Sequence, residues 1–321
     1  MISRTKHPVL RRLWATVLTV MCGLLLAVTA CGGSQAPAEN RNELTDLSYA
    51  DVSDKQALDL YLPKGKGPFP LVLYIHGGGF ILGDKTERAV DEIRTPLLDE
   101  GYALASINYR LTDEAGFPAQ IHDVKAAVRW LRSNASRFRL NSSKVAVWGA
   151  SAGGNLATLL GTSCKVESLE GSELGNPDQS SCVQAVINWY GPIDLLTIEP
   201  QLDRRSCPNT NADGDLLWLT LYVRGPLEEN QDLVRAANPI TYITPEDPPV
   251  LIQHGTADCN VPPEQSQILA EALQLNLGEG SVILEYKEGA VHYDPVFVSP
   301  SNVRIVLDFL NSRLKQPDST R

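Results

Sequence analysis

The chain has 321 residues, with 28 Lys+Arg against 38 Asp+Glu, 43% hydrophobic residues, 24 Gly, 21 Pro and 6 Cys. That composition excludes a disordered chain, a collagen and a polytopic membrane protein. A net charge of −10 also excludes the basic face that phosphate neutralisation needs, so nucleic acid is set aside as a partner.

The first thirty residues have the pattern of an export signal. Arg4, Lys6, Arg11 and Arg12 precede an uncharged apolar run from Leu13 to Ala30, the order of a basic n-region and an h-region. The run ends in Val28-Thr29-Ala30-Cys31, which resembles the lipobox of bacterial lipoproteins, where small residues precede a Cys that is lipidated and becomes the new N-terminus. An uncleaved membrane anchor is the alternative, since 18 uncharged residues are of borderline length for spanning a bilayer. Removing residues 1–30 removes four positive charges and no negative ones, so the mature net charge is −14. Residues 31–44 carry Gly, Ser, Gln, Ala and Pro at their start and are expected to form a flexible tether. The resemblance implies anchoring at a membrane through Cys31, facing an extracytoplasmic space.

Beyond the tether, residues 45–315 read as one α/β domain. Ala57 to Leu62 alternates like a half-buried strand that would start the sheet antiparallel. The runs Leu71–Ile75, Ala103–Ile107, Lys144–Trp148, Val183–Ile187, Val250–Gln253 and Val282–Tyr286 have the length and apolarity of sheet strands, the first five as continuous buried runs. Between them, Ile121, Val124, Ala127, Val128 and Leu131 recur at helical spacing, as do Ile268, Leu269, Ala272 and Leu273, and Val303 to Leu314 ends the domain as an amphipathic helix. Strand and helix alternate, which predicts a mostly parallel central sheet with helices on both faces. From Pro192 to Pro248 the alternation stops. This segment holds ten Asp+Glu against four Arg and one short helical piece around Leu216 to Val223, and is expected to be a cap-like insertion over the domain.

Four cysteines of the exported part, Cys164, Cys182, Cys207 and Cys259, allow three disulfide pairings. Cys164 and Cys182 bracket a polar, Gly-containing loop, which favours that pair and leaves Cys207 with Cys259; free buried thiols are the alternative reading.

Gly149-Ala150-Ser151-Ala152-Gly153 follows the strand ending at Trp148 and precedes a segment able to form a helix. This is the strand, sharp turn and helix that a G-x-S-x-G nucleophile elbow requires. Upstream, His76-Gly77-Gly78-Gly79-Phe80 follows the strand ending at Ile75. Its glycines let backbone N–H groups face a site, and Gly78, Gly79 and Ala152 are the candidate donors of an oxyanion hole. Phosphate binding by this loop is disfavoured, because neither a P-loop nor a G-x-G-x-x-G pattern is present. A serine nucleophile needs an imidazole base and a carboxylate that fixes the imidazole tautomer. With chain order Ser, acid, His, each after a strand, Asp258 is the candidate acid and His292 the candidate base. Asp194, Asp247 and Asp294 are the rival acids. His76 and His254 are assigned to hydrogen bonding or packing at strand ends, and His122 to a salt bridge or cap beside Asp123.

Taken together, His76–Phe80, Asn108-Tyr109-Arg110-Leu111, Phe117-Pro118-Ala119-Gln120, Ala126–Leu131, Gly149–Gly154, Tyr190-Gly191-Pro192 and His254-Gly255-Thr256-Ala257-Asp258 resemble the α/β-hydrolase superfamily. More narrowly, the chain is similar to bacterial esterases related to hormone-sensitive lipase and to feruloyl and acetylxylan esterases. The resemblance implies a serine esterase acting on a small-molecule or carbohydrate-linked ester, short in its acyl part, with no metal and no cofactor. A serine peptidase and a catalytically silent binding protein on the same scaffold are the alternatives.

Overall fold

The computed structural model describes residues 42–205, 207 and 216–315. The expected export signal, Cys31 and nearly all of the expected tether lie outside the described residues, as do the turn signals at residues 208–214. Among the described residues no helix is long and apolar enough to cross a membrane.

Apolar runs pair into an eight-stranded sheet: β1 (Glu43–Ser48), β2 (Ala57–Tyr61), β3 (Phe69–Ile75), β4 (Ala103–Ile107), β5 (Leu140–Ala150), β6 (Ala185–Trp189), β7 (Val250–Gly255) and β8 (Val282–Lys287). Their spatial order is β1-β2-β4-β3-β5-β6-β7-β8. β2 pairs antiparallel with both β1 and β4, while the pairings from β4 through β8 are parallel. This is the α/β-hydrolase architecture expected from the sequence.

The helices are α1 (Arg88–Asp99), α2 (Ala119–Ser133), α3 (Ala135–Phe138), α4 (Ala152–Thr162), α5 (Ile198–Arg204), α6 (Leu217–Tyr222), α7 (Gln231–Ala237), α8 (Glu264–Leu277) and α9 (Pro300–Leu314). Successive side chains of a strand point to opposite faces, so β3 feeds two cores: Leu71, Leu73 and Ile75 on one side, Val72 and Tyr74 on the other. The first core is closed by Ile121, Val124, Leu156 and Leu269 from α2, α4 and α8. Ile93, Leu97, Val306 and Leu310 from α1 and α9 close the second. Each fully buried aliphatic side chain of this kind contributes about 1.5–3 kcal/mol.

Three differences from the sequence reading have physical causes. β1 begins at Glu43, so residues 43 and 44 belong to the sheet and not to the tether; a register shift between Leu44 and Leu47, with Asp46 at φ 55°, breaks the alternation that would have marked this strand. Helix α1 carries Pro96 inside it, a residue that reads as a breaker. Within the 192–248 insertion, α5 and α7 are only seven residues each, too short for a helical period to stand out from loop sequence.

The strand order fixes where ligands can gather. β3 leads to β4 on one side, whereas β5 leads to β6 on the other, so the chain reverses its direction of travel between neighbouring strands β3 and β5. A crevice opens at the carboxyl ends of strands at such a switch point. Here those ends continue into His76-Gly77-Gly78-Gly79 and into Ser151.

Candidate active site

Ser151 lies between the last residue of β5 and the first of α4 with φ 55° and ψ −122°, a conformation rarely adopted by a non-glycine residue. The turn closes only because its neighbours lack side chains: a Cβ on Gly149 would sit 1.9 Å from the Gly153 carbonyl oxygen, and one on Gly153 would sit 2.1 Å from that of Ile75. The Ser151 N–H donates to the Trp189 carbonyl at 2.8 Å, tying the turn to β6.

Asp258 follows β7 and His292 follows β8, and the structure brings both to Ser151. His292 Nε2 is 2.9 Å from Ser151 Oγ, and His292 Nδ1 is 2.6 Å from Asp258 Oδ2. The carboxylate is fully buried, and its Oδ1 accepts the N–H groups of Asn260 and Val261 at 2.8 and 3.0 Å. Burial alone would favour the protonated acid, but hydrogen bonds from His254 and His292 outweigh it and hold Asp258 well below the usual carboxylate range. The carboxylate thus fixes the His292 tautomer, leaving Nε2 free to accept the serine proton.

His254 does more than pack at a strand end. Its Nε2 donates to the Val261 carbonyl at 2.9 Å and lies 3.3 Å from Asp258 Oδ2, while its Nδ1 is 2.6 Å from Ser266 Oγ. A second imidazole therefore steadies the same carboxylate. The rival acids are spent elsewhere: Asp194 and Asp294 accept N–H groups of Leu196 and Val296, and Asp247 binds Thr244. Buried His76 donates Nδ1–H to the Gly77 carbonyl at 2.7 Å and stacks on Tyr109, consistent with a structural role. His122 Nδ1 lies 3.7 Å from Glu173.

Gly78 and Gly79 have φ of 108° and 59°, and a Cβ on Gly78 would strike the Leu82 carbonyl. The loop therefore passes close beside Ser151, and both glycines line one pocket with Ser151 and His292, about 390 Å³ in volume. Ala152 opens α4, where backbone N–H groups have no partner within the helix and the helix dipole favours negative charge. Apolar side chains of the pocket wall, with Asn260 beside them, come from Ile81 and Leu82 of the glycine loop and from Leu202, Leu216 and Trp218 of the insertion. Sequence reasoning missed these three and also Tyr293, whose hydroxyl accepts the Gly78 N–H at 3.0 Å. Its position directly after His292 was the one available signal. A wider depression, about 600 Å³ and lined by Glu114 and Arg224, carries none of the reacting groups. Among the described residues no set of His, Cys, Asp and Glu side chains converges as a metal site.

Both favoured disulfides are present. Cys164 bonds Cys182 and Cys207 bonds Cys259, with Cα–Cα distances of 5.0 and 5.5 Å. The second fastens the insertion to the residue after Asp258. Gln265 of α8 adds hydrogen bonds to Ile193, Asp194, Thr197 and Gln201 on the insertion side.

Comparison with known proteins agrees with this architecture. Esterase LipC of Mycobacterium tuberculosis is 30% identical over 221 residues, which are 68% of this chain and 52% of that protein. The chain spans about half the length of the curated relatives it matches. Among solved structures, a bifunctional GH43-CE protein of Bacteroides eggerthii superposes with a TM-score of 0.75 at 34% identity, covering 84% of this chain and 35% of that one. A truncated form of a carbohydrate esterase from gut microbiota gives a TM-score of 0.75 at 30% identity, covering 85% and 96%. The family model BD-FAE matches residues 58–273, from the second strand of the sheet to the helix after Asp258, and the chain belongs to the BD-FAE family.

Proposed function

We propose that this protein is a serine esterase that cleaves carboxylic esters through an acyl-enzyme. The observation that carries this reading is the unbroken line from Ser151 Oγ through His292 to buried Asp258, at 2.9 and 2.6 Å. Ser151 attacks the ester carbonyl while His292 Nε2 takes its proton. Amides at Gly79 and Ala152 face the developing oxyanion, while the Gly78 amide, the third candidate, is engaged by the Tyr293 hydroxyl. His292 then protonates the leaving alcohol, and water releases the acid by the same steps in reverse order.

The preferred acyl group is short, of acetyl or feruloyl type, on a carbohydrate or other small alcohol. Support comes from a pocket of about 390 Å³ closed on one side by Leu202, Leu216 and Trp218 of a fastened insertion, and from a relative described as a carbohydrate esterase. We place the enzyme outside the cytoplasm, anchored by a lipid on Cys31; two disulfides fit an oxidising compartment.

The test is a series of p-nitrophenyl esters from acetate to palmitate with a feruloyl ester beside them, on the wild type and Ser151→Ala. Hydrolysis of short esters that falls by several powers of ten in the variant supports the reading. No hydrolysis of any ester by folded wild-type protein overturns it.

A further inference from the structure

One candidate oxyanion donor, the Gly78 amide, is already engaged: it donates to the hydroxyl of Tyr293 at 3.0 Å. The contact is built in. A Cβ on Gly77 would lie 2.1 Å from that phenol oxygen, so the glycine leaves the space the hydroxyl fills. Tyr293 has a left-handed backbone, φ 57°, and its ring meets those of Tyr190 and His292 edge to face, at 5.6 and 4.7 Å between centroids. Tyr293 lines the same pocket as Ser151 and His292.

We propose that Tyr293 is a further catalytic residue, whose phenol O–H, held by the Gly78 amide, takes that amide's place as a donor to the oxyanion. This rests on the esterase reading above. A neutral phenol has one proton to give and lone pairs to receive. Its oxygen receives the Gly78 N–H, so its proton is free to point into the pocket that Ser151 lines. When Oγ bonds to the carbonyl carbon, the π pair moves to the carbonyl oxygen and the serine proton goes to His292 Nε2. Oγ becomes an ester oxygen, a poor acceptor, and the phenol proton turns to the adjacent oxyanion without leaving Tyr293. Gly79 and Ala152 complete the set of donors. Burial of the hydroxyl and the nearby Glu87 charge push the Tyr293 pKa up to about 12, so the donor proton is present at any working pH.

The experiment compares full-length wild type with Tyr293→Phe, which keeps the ring's packing, on p-nitrophenyl acetate, and measures binding of a trifluoromethyl ketone that forms an oxyanion on Ser151. Melting temperatures check that both are folded. The expected result is a kcat lower by about 10²- to 10³-fold, the usual effect of losing one oxyanion donor, with KM within about threefold and ketone affinity falling in parallel. Against an active wild type, an unchanged kcat in the variant overturns this proposal alone. A raised kcat also overturns it, identifying the phenol as an obstruction. A wild type silent on every ester overturns the esterase reading and this proposal together.

Discussion

Phe80 and Tyr222 lie face to face, ring centroids 3.7 Å apart and planes within 2°. Phe80 directly follows the glycines beside Ser151, and Tyr222 ends helix α6 of the insertion. One stacked pair therefore couples the glycine loop to the wall of the pocket.

Removing that ring should be costly, whereas trimming its partner's hydroxyl should not. Phe80→Ala is expected to lower stability by about 3–5 kcal/mol through cavity formation. The Tyr222 hydroxyl is buried without a hydrogen-bond partner among the described residues, so Tyr222→Phe is expected to be neutral or stabilising. Urea unfolding midpoints at constant slope measure both.

Asp258→Asn should lower kcat by about 10⁴-fold, because the amide cannot hold His292 in the tautomer that presents Nε2 to serine. Asp258 in the native protein is kept ionised far into acid. The acid limb of the kcat/KM profile must then report a group other than this carboxylate, a point checked by measuring the profile down to the pH where the fold is lost.

His76 gives a pH-dependent stability. Burial, opposed by its bond to the Gly77 carbonyl, lowers its pKa from 6.5 to about 4. Between those values the unfolded chain binds more protons than the native one. The associated stability is complete above the unfolded pKa and is lost as pH falls from 6.5 towards about 4, amounting to about 3 kcal/mol. In His76→Gln the overall stability drops, but its decline across this window becomes shallower, as measured by denaturation at a series of pH values.

The two disulfides differ in the loops they close, with sequence separations of 18 and 52. On the loop-entropy account, losing Cys164–Cys182 costs about 3 kcal/mol and losing Cys207–Cys259 about 4 kcal/mol. Serine pairs at each bridge separate stability from function. Both should melt earlier, and the pair at 207 and 259 should also lose activity because it frees the residue adjoining Asp258.

Much of this molecule was legible in the sequence because its signals are local. The buried strands at 71–75 and 103–107 show as continuous apolar runs, and Gly149, Gly153 and the 77–79 glycines mark backbone turns that tolerate no side chain. Strand-end positions of Ser151, Asp258 and His292 followed from chain order. The parts that escaped depend on contacts between distant segments. Leu202, Leu216 and Trp218 become pocket wall only when the insertion folds over the sheet. Tyr293 gains its place from a glycine 216 positions earlier, at Gly77, a pairing no periodicity reports. β1 was hidden by its own irregular register.

The reacting groups and the walls around them come from different parts of the chain. Ser151, Asp258, His292 and the glycine loop hang from strand ends whose spacing is set by the backbone ladder, about 4.8 Å between neighbours. Leu202, Leu216 and Trp218 hang from a segment that crosses none of those strands. Size and polarity at these three positions can be retuned while the bond-breaking geometry stays as it is. On the proposed esterase reading, substitutions at 202, 216 and 218 are where a designer should begin to change which ester fits the pocket.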